Sequence, residues 1–210
     1  MFDISLYLHM FITIFSILNP FGAIPIFLAV TADENALEKK TTIKRTTIAV
    51  VIILLLSAYI GGYLLAFFGI NIDSFRVAGG ILLLLMAVHM LQAKTPPTKT
   101  NATEQDEAIA KEDVSIVPLA IPLTAGPGTI SAVILFSSNM HSILDKAVLG
   151  IIIILASLTI WPILTLSKRI GDYLGTTGLN VATRIMGLII AAIAVQFMIE
   201  GVLAFIHENA

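Results

Sequence analysis

Cysteine is absent from the 210 residues, so disulfides, thiolate metal sites, iron–sulfur clusters and a cysteine nucleophile are all excluded. Charge is scarce: 12% of residues are charged, against roughly 25% in an ordinary soluble domain. Neither sign dominates; the net charge is -2, which gives no basic face for nucleic acid. Enzyme signatures are missing too. There is no HExxH, no GxSxG, no P-loop and no pair of acids within an apolar run. The chain is therefore not read as an enzyme. No catalytic residue, metal ligand or cofactor is assigned.

What is present is apolar. Hydrophobic residues make up 57% of the chain and the mean hydropathy is +0.96. A soluble domain of this length could not hide so much apolar surface. The composition points to an integral protein with the lipid bilayer as its partner. A spanning helix needs about 20 mostly apolar residues. Six stretches meet or approach this: Ile4–Val30, Thr46–Ile70, Phe75–Gln92, Val114–Ser138, Ala147–Ser167 and Val181–Ile206. The first lacks the basic start and small-residue cleavage site of a signal peptide. No strand alternation suggests a barrel.

Basic residues set the expected orientation. Lys39, Lys40, Lys44, Arg45, Lys94, Lys99, Lys111, Lys168 and Arg169 fall in the segments after spans one, three and five. Only Lys146 falls on the other side, and Arg76 and Arg184 sit inside spans. Loops one, three and five are expected in the cytoplasm and both termini outside it. The one composition shift is the segment Ala93–Asp113, opened by Pro96-Pro97 and rich in polar residues. It divides the chain into residues 1–92, a linker 93–113 and residues 114–210, within one membrane domain.

The two parts resemble each other. Pro20-Phe21-Gly22-Ala23-Ile24-Pro25 and Pro122-Leu123-Thr124-Ala125-Gly126-Pro127 share Pro-x-x-Ala-x-Pro. Arg76-Val77-Ala78-Gly79 and Arg184-Ile185-Met186-Gly187 share Arg-x-x-Gly in the same order. Three spans per part is an odd number, so the second enters the membrane from the opposite side. The expected fold is all-α: six transmembrane helices as two inverted three-helix repeats, an architecture typical of secondary transporters.

Proline removes a ladder hydrogen bond and clashes with the preceding turn. Two prolines with glycine nearby predict a turn of open backbone in the first and fourth helices. Such backbone must be satisfied by protein or by a water-filled cavity. Each break offers a half-helix amino end, partially positive, and freed carbonyls on the other side. A small zwitterion could be held there without a charged side chain. The candidate site is Asn19, Pro20, Gly22, Ala23 and Pro25 with Pro122, Thr124, Ala125, Gly126, Pro127 and Gly128. Thr129 and Ser131 add neutral hydroxyls. Arg76, Arg184, Gln196 and Glu200 are candidates for gating or coupling; Glu200 is the only acid well inside an apolar run. His9 and His89 read as packed or interfacial, and Trp161-Pro162 as a kink.

These motifs resemble the MarC family, grouped with small neutral amino acid transporters in the wider superfamily of LysE-type exporters. The resemblance is carried by Asn19-Pro20-Phe21-Gly22-Ala23-Ile24-Pro25-Ile26-Phe27 and Phe75-Arg76-Val77-Ala78-Gly79-Gly80. In the second part it is carried by Val117–Gly128 and Gly175–Leu188, so it spans nearly the whole chain. It implies six spans and a bacterial or archaeal cytoplasmic (inner) membrane. The expected activity is secondary transport of a small-molecule substrate, a glycine- or alanine-like amino acid, with Na⁺ or H⁺ as coupling ion. Export of another small metabolite and a non-transporting regulatory or scaffold role are the alternatives. A homo-oligomer is compatible with the sequence.

Overall fold

The computed structural model of the protein describes residues 4–92, 124–140 and 142–209. The linker 93–113, the first part of span four and Pro122 lie outside the described residues. The described residues are helical, with eight elements. They are α1 (Ile4–Leu18), α2 (Pro20–Val30), α3 (Ala36–Phe67), α4 (Ile72–Leu91), α5 (Pro127–Ser138), α6 (Ile143–Leu158), α7 (Ile160–Thr165) and α8 (Ser167–Asn209).

Among the described residues, five stretches are long and apolar enough to cross a membrane: Ile4–Val30, Ala36–Phe67, Ile72–Leu91, Ile143–Thr165 and Ser167–His207. α5 is apolar but shorter. The best apolar window of α3 is only 22% buried. Ile52, Leu56, Ile151, Leu155 and Leu188 are exposed on the outer surface. Exposed apolar faces on this scale match hydrocarbon, not water.

Capping explains why some helices begin earlier than their apolar runs. Asn35 accepts from the Leu37 and Glu38 amides at 2.9 and 3.1 Å, and the Asn35 amide donates to Glu38 Oε2 at 2.7 Å. This reciprocal box starts α3 ten residues before the expected Thr46. Lys39, Lys40, Lys44 and Arg45 are therefore on the first turns of a helix and not in a loop. Lys168 and Arg169 likewise lie at the start of α8. At 1.5 Å per residue α3 is about 48 Å long, well beyond a hydrocarbon core of about 30 Å, so its charged first turns can stand clear of it. Asn71 caps α4 through the Asp73 amide at 2.6 Å.

Two further interruptions depart from expectation. Span five is divided at Thr159, three residues before Pro162, instead of at Trp161-Pro162. Pro162 clashes with the carbonyl four residues back, so the disturbance falls upstream of the ring. α8 is bent at Gly175, whose φ of 61° and ψ of -179° only glycine adopts readily. The stretch Gly175–Asn180 is thus part of a bent helix, and Arg184 lies well within α8, not at its start.

α4 and α8 form the most extensive pair. They run antiparallel, because Gly201 lies against Asp73 and Val77, Gly80 against Ala194 and Met198, and Gly187 against Ala87 and Met90. Without a side chain at these glycines the two backbones approach closely. A Cβ on Gly80 would sit 2.8 Å from the Ala194 carbonyl oxygen and 2.6 Å from Met198 Cγ. Backbone cannot give way there. Gly80→Ala is expected to destabilise the fold by about 1–3 kcal/mol, read as a lower melting temperature in detergent. Elsewhere α3 packs on α5, α6 and α7, α1 on α6, α5 and α8, and α2 on α7 and α8.

Candidate functional site

The first break is a single residue. Asn19 has φ 44° and ψ 58°, the one non-glycine residue with positive φ among the described residues. The residue before a proline is pushed out of the right-handed helical region, and asparagine tolerates the left-handed one. Pro20 then begins α2, where its missing N–H costs nothing. The ladder nearly survives: Asn19 N donates to the Phe15 carbonyl at 3.2 Å and Ala23 N to the Asn19 carbonyl at 3.3 Å. The expected open turn from Pro20 to Pro25 is therefore corrected. Pro25 is carried inside α2 with its ring exposed. Its effect is to leave the Phe21 carbonyl without a helical donor.

Asn19 works in two directions. Its Oδ1 accepts from Gly22 N at 3.2 Å, and its Nδ2 lies 3.9 Å from Met90 Sδ on α4. Gly22 leaves the space that this side chain occupies; a Cβ there would collide with Asn19 Nδ2. Pro20 and Ala23 are buried, and Asn19 and Gly22 are half-buried.

The second break lies at Ala125 and Gly126. Gly126 is extended, with φ -76° and ψ 175°, and α5 starts at Pro127 with no side-chain cap. This amino end differs from that of α2, which Asn19 caps. Thr124, Ala125, Gly126, Gly128, Thr129 and Ser131 are buried, while Pro127 is exposed. Thr129 Oγ1 donates to the Thr124 carbonyl at 2.9 Å, which satisfies one carbonyl of the interruption.

α4 brings the breaks onto a common wall. Gly128 faces Leu83 and Ile17; a Cβ there would be 2.6 Å from Leu83 Cδ2 and 3.8 Å from Ile17 Cγ2. Ile17 precedes Asn19 by two residues, and Met90 follows Leu83 by two helical turns. Leu83, Ala87 and Met90 are buried in one apolar cluster with Ile17, Ala132 and Leu135. Leu83 and Ile17 thus pack on the first turn of α5 at Gly128.

A polar cluster joins the far end of α5 to the α4–α8 pair. Arg76 Nη2 donates to Asn139 Oδ1 at 3.1 Å, and Arg76 Nη1 lies 3.8 Å from Glu200 Oε2. Gln196 Nε2 donates to Glu200 Oε1 at 2.9 Å. The Arg76 side chain is 13% exposed and that of Glu200 46%. Arg184 is exposed, and among the described residues no salt bridge to it occurs. Gln92, directly after the end of α4, is neutral. His89 Nδ1 lies 2.7 Å from the Leu85 carbonyl, one turn back on its own helix.

Asn139 and Met90 were missed by sequence reasoning. An asparagine directly after Ser137-Ser138 is a helix-stop signal, and Asn139 is the carboxyl cap of α5. Nothing in the pattern singles out Met90 from the methionines around it.

The profile of MarC family integral membrane proteins matches residues 4–206. The chain belongs to the MarC family. It is 38% identical over 201 residues to the UPF0056 membrane protein YhcE of Escherichia coli (strain K12), covering 96% of this chain and 94% of that one. It is 40% identical over 201 residues to UPF0056 membrane protein MJ1677 of Methanocaldococcus jannaschii, covering 95% and 97%. For PH0760 of Pyrococcus horikoshii the identity is 36% over 199 residues, with 95% of each chain covered. No solved structure matches. MarC proteins of this kind are thus multi-pass membrane proteins of both bacteria and archaea.

Proposed function

We propose that this MarC protein is a secondary transporter of small neutral amino acids of the glycine and alanine type, working by alternating access in the cytoplasmic membrane. The observation that carries this reading is the pair of breaks on one wall of α4: Asn19 between α1 and α2, and the uncapped amino end of α5. An amino end with no cap suits a carboxylate, and the Phe21 carbonyl left by Pro25 suits an ammonium. The closed packing of Leu83 on Gly128 is then the occluded state, opened when α4 shifts against α5.

The proposed architecture is six spans in two inverted repeats, residues 1–92 and 114–210, joined by the linker 93–113. The packing supports it. Exchanging span one with four, two with five and three with six maps the main contacts between the two parts onto one another. The α1–α6 contact maps onto α5–α3, and α8 with α1 and α2 maps onto α4 with α5. Alternating access in inverted repeats is the motion of one such set against the other. The basic residues at the start of α3 and α8 favour a cytoplasmic location for those ends, with both termini outside.

Glu200 is the proposed coupling group, with H⁺ or Na⁺ as its ion. It is an acid in a membrane helix, held by Arg76 and Gln196, and Arg76 reaches Asn139 at the end of the short helix that bears the site. Purified protein in liposomes is expected to take up radiolabelled alanine, faster when an inward Na⁺ or H⁺ gradient is imposed. Glu200→Gln should abolish the response to the gradient and leave alanine-for-alanine exchange within about twofold. Equal acceleration in the variant removes Glu200 from coupling; no uptake of any neutral amino acid removes the transport reading. A non-transporting scaffold role is the second reading, favoured by the close packing of Gly128 against Leu83 and Ile17. It requires that no amino acid bind.

A further inference from the structure

A groove of about 260 Å³ opens between α3, α5 and α6, apart from both breaks. It lies at the end of α3 opposite Lys39–Arg45, where α3 and α5 finish and α6 begins. Its floor is apolar, with Ala58 and Ile134. Gly62 keeps it open, since a Cβ there would meet nothing within 4 Å. Its rim is polar. Ser137 is 8% exposed, lines the groove, and makes no side-chain hydrogen bond among the described residues. Tyr63 and Lys146 also line it, and neither side chain makes a hydrogen bond or salt bridge among the described residues. Among the described residues Lys146 is the only charged one of the lining, and Tyr59 fixes its backbone by donating to the Lys146 carbonyl at 2.9 Å.

A lining that carries two hydroxyl side chains and an ammonium side chain, all with donors to spare, suits an anion with several acceptor oxygens. An apolar floor beneath them, in a surface that faces lipid, converges on an attached hydrocarbon chain. We infer that this groove is a binding site for an anionic phospholipid, with the headgroup phosphate on Lys146, Tyr63 and Ser137 and the first part of an acyl chain over Gly62 and Ile134. The site is on the membrane face opposite the basic ends of α3 and α8, so the lipid it selects belongs to the leaflet where fewer basic residues attract anionic headgroups. It does not depend on what the protein transports.

The test is binding of fluorescent phosphatidylglycerol to the purified full chain in neutral detergent, with phosphatidylcholine and inorganic phosphate as competitors. Phosphatidylglycerol is expected to bind saturably, at least tenfold tighter than phosphatidylcholine, and to resist inorganic phosphate. Lys146→Gln should weaken it at least tenfold, and Gly62→Leu should do so by filling the floor. Both should melt as the parent does in lipid-free detergent. If Lys146→Gln fails to fold, Tyr63→Phe with Ser137→Ala carries the same expectation. Unchanged affinity in the variants overturns the site. Displacement by inorganic phosphate means a small-anion site, and equal binding of phosphatidylcholine means no charge recognition; either overturns the proposal.

Discussion

Proteoliposomes are expected to move alanine, glycine or serine at least tenfold faster than lysine, arginine or glutamate. The reason is the chemistry of the breaks. Their polar groups are backbone ends, the Asn19 amide and the Thr129 and Ser131 hydroxyls. Among the described residues no acid or base lies with them, and the wall opposite is Leu83, Ala87 and Met90. The two charges of a small zwitterion can be met by a helix amino end and a freed carbonyl. A third charge on the side chain would enter this environment unpaired. That costs several kcal/mol, and 1.4 kcal/mol is already tenfold in affinity. Competition of labelled alanine uptake by a panel of amino acids measures it. Preference for lysine or glutamate over alanine would refute a neutral site.

The second large effect is expected from Asn19→Ala combined with Pro20→Ala. Asn19 holds the left-handed backbone, caps α2 through Gly22 N and touches Met90. Alanine in that conformation is disfavoured by roughly 1–2 kcal/mol, and alanine at position 20 restores the missing N–H. The backbone then has every reason to close into one helix from α1 through α2. Alanine is a good helix former, so the fold should survive with an unchanged elution profile and helical circular dichroism. Amino acid binding should fall tenfold or more, measured by isothermal titration. Full affinity in the double variant would take the first break out of the site.

Much of the helical layout is legible in the sequence because the bilayer demands long apolar runs, and Ile4–Val30 stands out on that ground alone. The ends are not, since asparagines such as Asn35 start a helix well before the apolar run begins. Proline marks that a helix is broken but misplaces the break. At Pro20 and Pro162 the strain is relieved upstream, at Asn19 and Thr159, where the neighbouring residue decides the conformation. Gly175 reads as loop because glycine and threonine cluster there, yet one residue at positive φ suffices and the helix resumes. The candidate residues at both breaks are visible as motifs. That Leu83 and Met90 would stand between them is not, because it depends on which face of α4 turns inward. The Arg76–Glu200 pair joins residues far apart in the chain, and nothing in the sequence pattern names them as partners.

The glycine-lined crossing of α4 and α8 also bears on how the protein is made. Gly80 leaves the ribosome about a hundred residues before Ala194 and Met198, the groups it packs against. At 5–20 residues per second α4 waits on the order of 5–20 s for its partner. During that interval its bare backbone stripe faces lipid or an insertase, and an early stop before α8 would leave it there for good. A truncated chain ending after α7 should thus be an inserted but unassembled intermediate, open to membrane proteases, while the finished chain is protected as soon as its last helix arrives.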